Sequence, residues 1–166
     1  MAKYAARTSV SVEKSRAEIE ATLVRYGASS FMYGWDFRGA MIAFVIDVGA
    51  EQKRQVRFHL PLPSRDERRF TQHSRGRRTP DAAEALWEQA CRQRWRALAL
   101  VVKAKLEAVE TGIATFEDEF LAYIMLPEGQ TVGEWIGPQL VAAYDPDKGI
   151  MPRKLMLQLE AGSSRD

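Results

Sequence analysis

The chain has 166 residues, 46% of them hydrophobic and 28% charged, with a formal net charge of +2. This is one ordinary globular domain, and it excludes a disordered tail, a collagen-like repeat and a disulfide scaffold. No apolar run is long enough to span a bilayer, MAKYAARTSVSVEKS lacks the apolar centre of a secretory leader, and the single cysteine, Cys91, suits a reducing cytoplasm.

In chain order, Thr8 to Val12 alternates and reads as a strand or an extended lead-in. A helix follows. Ser15-Arg16-Ala17-Glu18 has capping-box spacing, with Ser11 as an earlier start; Ile19, Leu23 and Tyr26 recur at helical intervals and Gly27 stops it. Three strands come next. Ser30 to Phe37 puts Phe31, Tyr33, Trp35 and Phe37 on one face and Met32, Gly34 and Asp36 on the other. Met41 to Val48 is apolar throughout, as for a central strand covered on both faces. Gln55 to Leu62 sets Val56, Phe58 and Leu60 opposite Arg57 and His59. The short links Arg38-Gly39 and Gly49 to Gln52 make a hairpin meander.

From Pro61 to Thr79 the periodicity stops, and the segment reads as a long, mobile basic loop. Thr79-Pro80-Asp81 then opens a long helix, with a threonine cap and proline in the first turn, running to about Thr111 before Gly112. Its apolar stripe is expected to hold Ala83, Trp87, Ala90, Cys91, Leu98, Val101, Val102 and Val109. Arg94 and Lys105 fall within it, and Arg92, Arg96 and Lys103 on the far side. Thr115 caps a short acidic helix, Phe116 to Met125. Thr131-Val132-Gly133-Glu134 is a second capping box, opening a helix that reaches about Tyr144 and that Pro138 interrupts. Part of the tail after Met151 has the apolar residues to dock, and 160–166 should fray.

Charge is distributed unevenly along this order. Lys53 to Lys105 carries fourteen basic and five acidic residues, net +9, whereas Leu106 to Asp147 carries nine acidic residues and no Lys or Arg. The basic third is a footprint that polyanions would feel, or else the acidic third is its internal partner.

No constellation points to a reaction. His59, His73 and Cys91 do not form a metal-ligand pattern, nucleotide-cradling glycine loops are absent, and Cys91 sits on an apolar stripe. The expectation is therefore no catalysis, no cofactor and no metal. Two features point to nucleic acid instead. Arg65, Arg68, Arg69, Arg75, Arg77 and Arg78 lie within fourteen residues, and guanidinium forks suit phosphate oxygens. Arg54, Arg57 and His59 before them and Arg92 and Arg96 after them extend the basic surface. The aromatic strand beside it offers Tyr33 and Trp35 for base stacking if its face is wet; otherwise that face is core. Arg94 and Lys105 in the apolar stripe require a snorkelling stem, an ion pair with Asp36, Asp47 or Glu117 to Glu119, or a ligand pocket.

The segments SVSVEKSRAEIEATLVRYGA, ACRQRWRALALVVKAKLEAVETG and LPEGQTVGEW resemble a family of small bacteriophage and prophage proteins with no assigned activity. The resemblance covers most of the chain and carries over no functional residues. It implies a phage-encoded protein acting in the cytoplasm of a bacterial host.

The expected fold is a single α+β domain over 1–166, with basic loop 61–79 and acidic helical segment 106–147. An antiparallel sheet of three or four strands is covered by one long helix and two or three shorter ones. The expected function is non-catalytic nucleic-acid binding in phage DNA metabolism, to single-stranded or duplex nucleic acid. The alternative is a protein-interaction module whose basic and acidic segments self-assemble into a homo-oligomer or seize a host protein, such as a defence component to be inhibited. No membrane partner is expected.

Overall fold

Three antiparallel strands, in the order β1-β2-β3, form the sheet: β1 Ala28–Asp36, β2 Gly39–Asp47 and β3 Lys53–Leu60. The computed structural model describes residues 8–36, 39–49 and 52–144. The expectations for Phe37, for Arg38, for Ala50 and Glu51 and for everything after Tyr144 lie outside the described residues. One face of the sheet is core. Ile42, Phe44 and Ile46 of β2 and Val56, Phe58 and Leu60 of β3 are buried there, as their alternation predicts. The apolar run of β2 predicted cover on both faces. On its other face only Ala43 is buried, while Met41 and Val45 stay half-buried.

Helix α1, Val12–Arg25, starts from Ser11, whose hydroxyl accepts from the Lys14 N–H. This corrects the cap read at Ser15. Ser15 lies one turn inside the helix, buried, with its hydroxyl donating to the Ser11 carbonyl at 3.1 Å. Starting at Ser15 would leave Val12 off the helix, and Val12 packs against the core. Residues 8–11 are an extended lead-in rather than a strand.

Between the sheet and the long helix lie a single-turn helix, α2 Arg68–Thr71, and a small hairpin of β4 Gln72–His73 with β5 Gly76–Arg77. Helix α3, Pro80–Glu110, begins and ends where the sequence predicts. Its buried line is Cys91, Trp95, Leu98, Ala99, Val102 and Leu106. Trp95, Ala99 and Leu106 replace Val101, which is exposed, and Ala83, Trp87, Ala90 and Val109, which are half-buried. A stripe averaged over the whole helix is blurred by its N-terminal turns, which do not lie on the sheet.

Helix α4, Phe116–Phe120, is shorter than predicted. The chain passes through a 3-10 turn, Leu121–Tyr123, and becomes extended, so that Met125 N–H donates to the Gln55 carbonyl at 2.7 Å. That bond and the Val56–Ile124 bridge fasten the segment to the outer edge of β3, where a fourth strand would lie. Phe120 seals the core beneath, edge-on to Phe44 and Phe58, each at 6.2 Å. Helix α5, Val132–Ala143, begins at the predicted Thr131 box and continues through Pro138. Gln139 Nε2 donates to the Trp135 carbonyl beside that proline.

Candidate nucleic-acid interface

The segment expected to be a mobile loop is folded. Phe70 is buried and pins α2 against α3, and Trp87 Nε1 donates to the Pro63 carbonyl at 2.8 Å. The guanidinium of Arg65 lies 3.7 Å from the Trp87 ring centre and pairs with Glu84. Gly76, at φ +129°, lets the chain reverse, and Arg75 N–H donates to His73 Nδ1 at 3.0 Å. Arg78 closes the hairpin, its backbone N–H on the Thr71 carbonyl and its Nε on the Gln72 carbonyl. Arg68 Nε reaches Gln72 Oε1 at 2.8 Å. The sequence signal for this order is Phe70, the one large apolar side chain between Pro63 and Thr79.

The predicted basic residues divide by the company they keep. Arg54 pairs with Glu117 at 3.3 Å, Arg57 with Glu134 at 2.6 Å, and Lys105 with Glu119 at 3.0 Å. Arg69 pairs with Glu67 at 2.6 Å, Arg92 bonds Gln89 and faces Glu88, and Arg96 pairs with Glu18 across the α1–α3 contact. His59 Nε2 lies 3.6 Å from Asp36. Arg94 donates to the Pro61 carbonyl at 2.6 Å, and Lys105 also donates to the Glu119 carbonyl. The two cations in the apolar stripe are half-buried, and each finds its partners within the fold. Among the described arginines, six have no carboxylate partner: Arg16, which lies over the Tyr33 ring, Arg94, and the cluster Arg68, Arg75, Arg77 and Arg78. The cluster belongs to α2 and the hairpin.

The acidic third is largely spent within the fold. Glu107 accepts from Tyr26 and faces Arg25, Asp118 caps α4, and Glu117, Glu119 and Glu134 take the three cations above. Part of the two segments' charge cancels along β3, at Arg54–Glu117 and Arg57–Glu134, and on α3, at Lys105–Glu119; four of the arginines left over sit together on α2 and the hairpin.

The aromatic strand turns mostly inward. Phe31 and Tyr33 are half-buried; Tyr33 donates its hydroxyl to the Arg16 carbonyl at 2.7 Å and meets Trp95 edge-on at 6.1 Å. Burial pushes the Tyr33 phenol above its ordinary pKa. Trp35 lies on the same face near the strand end and is 82% exposed.

The described residues hold no group of three or more side chains suited to a metal ion. Burial pushes the Cys91 thiol up, away from the reactive thiolate. A cleft of about 480 Å³ between β3 and α3 has Phe58, Leu60 and Leu98 in its wall with Arg69 and Arg94. A second, of about 650 Å³, lies between Tyr26, Asp47 and Glu117. No described helix is long and apolar enough to cross a membrane. Compared with protein-family models, curated proteins and solved structures, the chain matches none.

Proposed function

We propose that this protein binds nucleic acid without catalysis, through the arginines of α2 and the β4–β5 hairpin. The observation that carries this reading is the concentration of arginines lacking carboxylate partners, Arg68, Arg75, Arg77 and Arg78, on one small folded unit. Planar guanidinium groups on an ordered hairpin lose less entropy on meeting phosphates than the same groups on a mobile loop. Arg54, Arg57, Arg65, Arg69, Arg92 and Arg96 support the fold and shape the flank of the surface, and Trp35 is the wet aromatic of the stripe. The resemblance to phage proteins fits a role in phage DNA metabolism within a bacterial host.

The competing reading, a module working through opposite charges, is weakened by the internal pairing of Glu117, Glu119 and Glu134.

The test is fluorescence anisotropy against labelled single-stranded DNA, duplex DNA and RNA at several salt concentrations. The plot of log affinity against log salt should have a slope of about −3.6 on duplex DNA and about −2.8 on single strands, for four arginines on phosphates. The triple variant Arg75→Ala, Arg77→Ala, Arg78→Ala should bind none of the three while keeping its fold. Absence of binding by the wild type, or binding indifferent to salt, refutes the proposal.

A further inference from the structure

The two edges of the sheet are finished differently. The outer edge of β3 receives the Met125 N–H on the Gln55 carbonyl and the bridge from Ile124 to Val56. The outer edge of β1 receives nothing from the described residues: its backbone pairs with β2 alone.

The direction of the unpaired groups follows from alternation. Gln55 turns its carbonyl away from β2, so Val56 and Phe58 bond inward to Phe44 and Ile42. Met41, Ala43 and Val45 of β2 then bond to their register partners Gly34, Met32 and Ser30 of β1. Phe31, Tyr33 and Trp35 are left with N–H and C=O groups aimed outward. A register shift between Ala28 and Ser30 ends the regular edge on one side.

Sheet proteins block such edges with lysine, proline, an inward charge or a covering segment. From Ala28 to Trp35 this strand has no charge and no proline, and Asp36 stands only at its end. A row of free amides and carbonyls with these neighbours is complementary to another extended strand. It is complementary to itself under a two-fold rotation, with no like charges brought together.

We propose that β1 pairs antiparallel with β1 of a second copy about a two-fold axis at Tyr33, joining the two sheets into one. In this register Phe31 lies opposite the partner's Trp35, and Trp35 opposite the partner's Phe31. The outward groups of Phe31, Tyr33 and Trp35 all find partners, and two aromatic cross-strand pairs form. The pairing also covers Trp35, which no other described residue shields. The inference uses none of the arginines; it does cover Trp35, so in the dimer that ring is not a wet base-stacking surface and phosphate binding rests on the arginines alone.

The test is light scattering coupled to size exclusion across a wide concentration range, on the full chain. The expected result is a reversible dimer for the wild type. Trp35→Lys, at a site exposed enough to leave the fold intact by circular dichroism, should weaken association by roughly tenfold or more. Val141→Lys, on the exposed apolar side of α5 where Val141 is 76% exposed, should leave the dimer unchanged. Hydrogen exchange gives a second readout: the amides of Phe31, Tyr33 and Trp35 should gain protection only as the dimer forms. A monomer at every concentration overturns the proposal. So does a dimer that survives Trp35→Lys, or one that Val141→Lys abolishes.

Discussion

Arg57 and Glu134 meet at 2.6 Å although 77 residues separate them in the chain. The same Glu134 oxygen accepts from the Thr131 N–H at 2.8 Å, so one carboxylate both caps α5 and ties it to β3. The Thr131 backbone bond, with Arg57 beside it, holds the Glu134 carboxyl below its ordinary pKa. A carboxyl lowered in the folded state adds stability that is complete above the unfolded value, near 4.3, and is lost as pH falls through the folded value. Acid should therefore release α5 before the sheet unfolds. Trp135, on α5 and 50% exposed, reports this by its fluorescence. Thr131→Ala should cost about 1 kcal/mol in denaturant melts, and a wild-type α5 indifferent to pH between 6 and 3 would contradict the linkage.

Two classes of arginine should separate by experiment. Arg57→Ala removes the bond to Glu134 and another to the Gly129 carbonyl, and should lower stability while sparing most nucleic-acid affinity. Arg77→Ala should do the reverse, with a stability change within about 0.5 kcal/mol, as at an exposed site without structural partners. Paired melting and anisotropy curves decide it; equal effects of both variants on affinity would merge the two classes.

Phe120 is fully buried between Phe116, Phe44 and Phe58. Phe120→Ala should cost about 3–5 kcal/mol, enough to unfold much of a marginal domain at physiological temperature. Chemical denaturation measures this directly. A loss under about 1 kcal/mol would mean that the acidic segment does not seal the core.

Gly39 sits at φ +135°, and a Cβ there would lie 2.4 Å from the Leu60 carbonyl oxygen. Gly39→Ala should destabilise by at least about 1–3 kcal/mol from backbone strain, with the clash adding to it. Gly133 is tight for a different reason: a Cβ would stand 2.7 Å from the Ala122 carbonyl oxygen. Gly133→Ala should push α5 off the 3-10 turn and speed amide exchange in α5 while leaving α3 unchanged.

Cys91 should react slowly with thiol reagents in the native state and at ordinary thiol rates once unfolded, since burial opposes its thiolate. Ellman kinetics with and without denaturant check this.

Local chemistry was readable from the residues. The Thr79-Pro80-Asp81 start, the Thr131 box and the three strands follow from capping, proline geometry and alternation, which act within a few residues. What was not readable depends on distance. Ser11 prevails over Ser15 because Val12 meets the core. Trp95 and Leu106 join the buried line of α3 because the sheet underlies the middle of that helix. The opposed charges of the two segments were plain in the sequence, but their cancellation required Glu117, Glu119 and Glu134 to be folded back beside Arg54, Lys105 and Arg57. The order of the basic loop rested on Phe70 finding α3, which no local pattern encodes.

The length of α3 has a mechanical consequence. Its 31 residues make a rod of about 46 Å, whereas a nine-residue strand spans about 30 Å. The first turns of the rod therefore overhang the sheet, and the arginine hairpin is mounted on that overhang. A load applied there reaches the core through that stiff lever and through the 61–67 segment that joins the hairpin to β3, so the gripping end can be altered by mutation, or engaged by a polyanion, without repacking the interior.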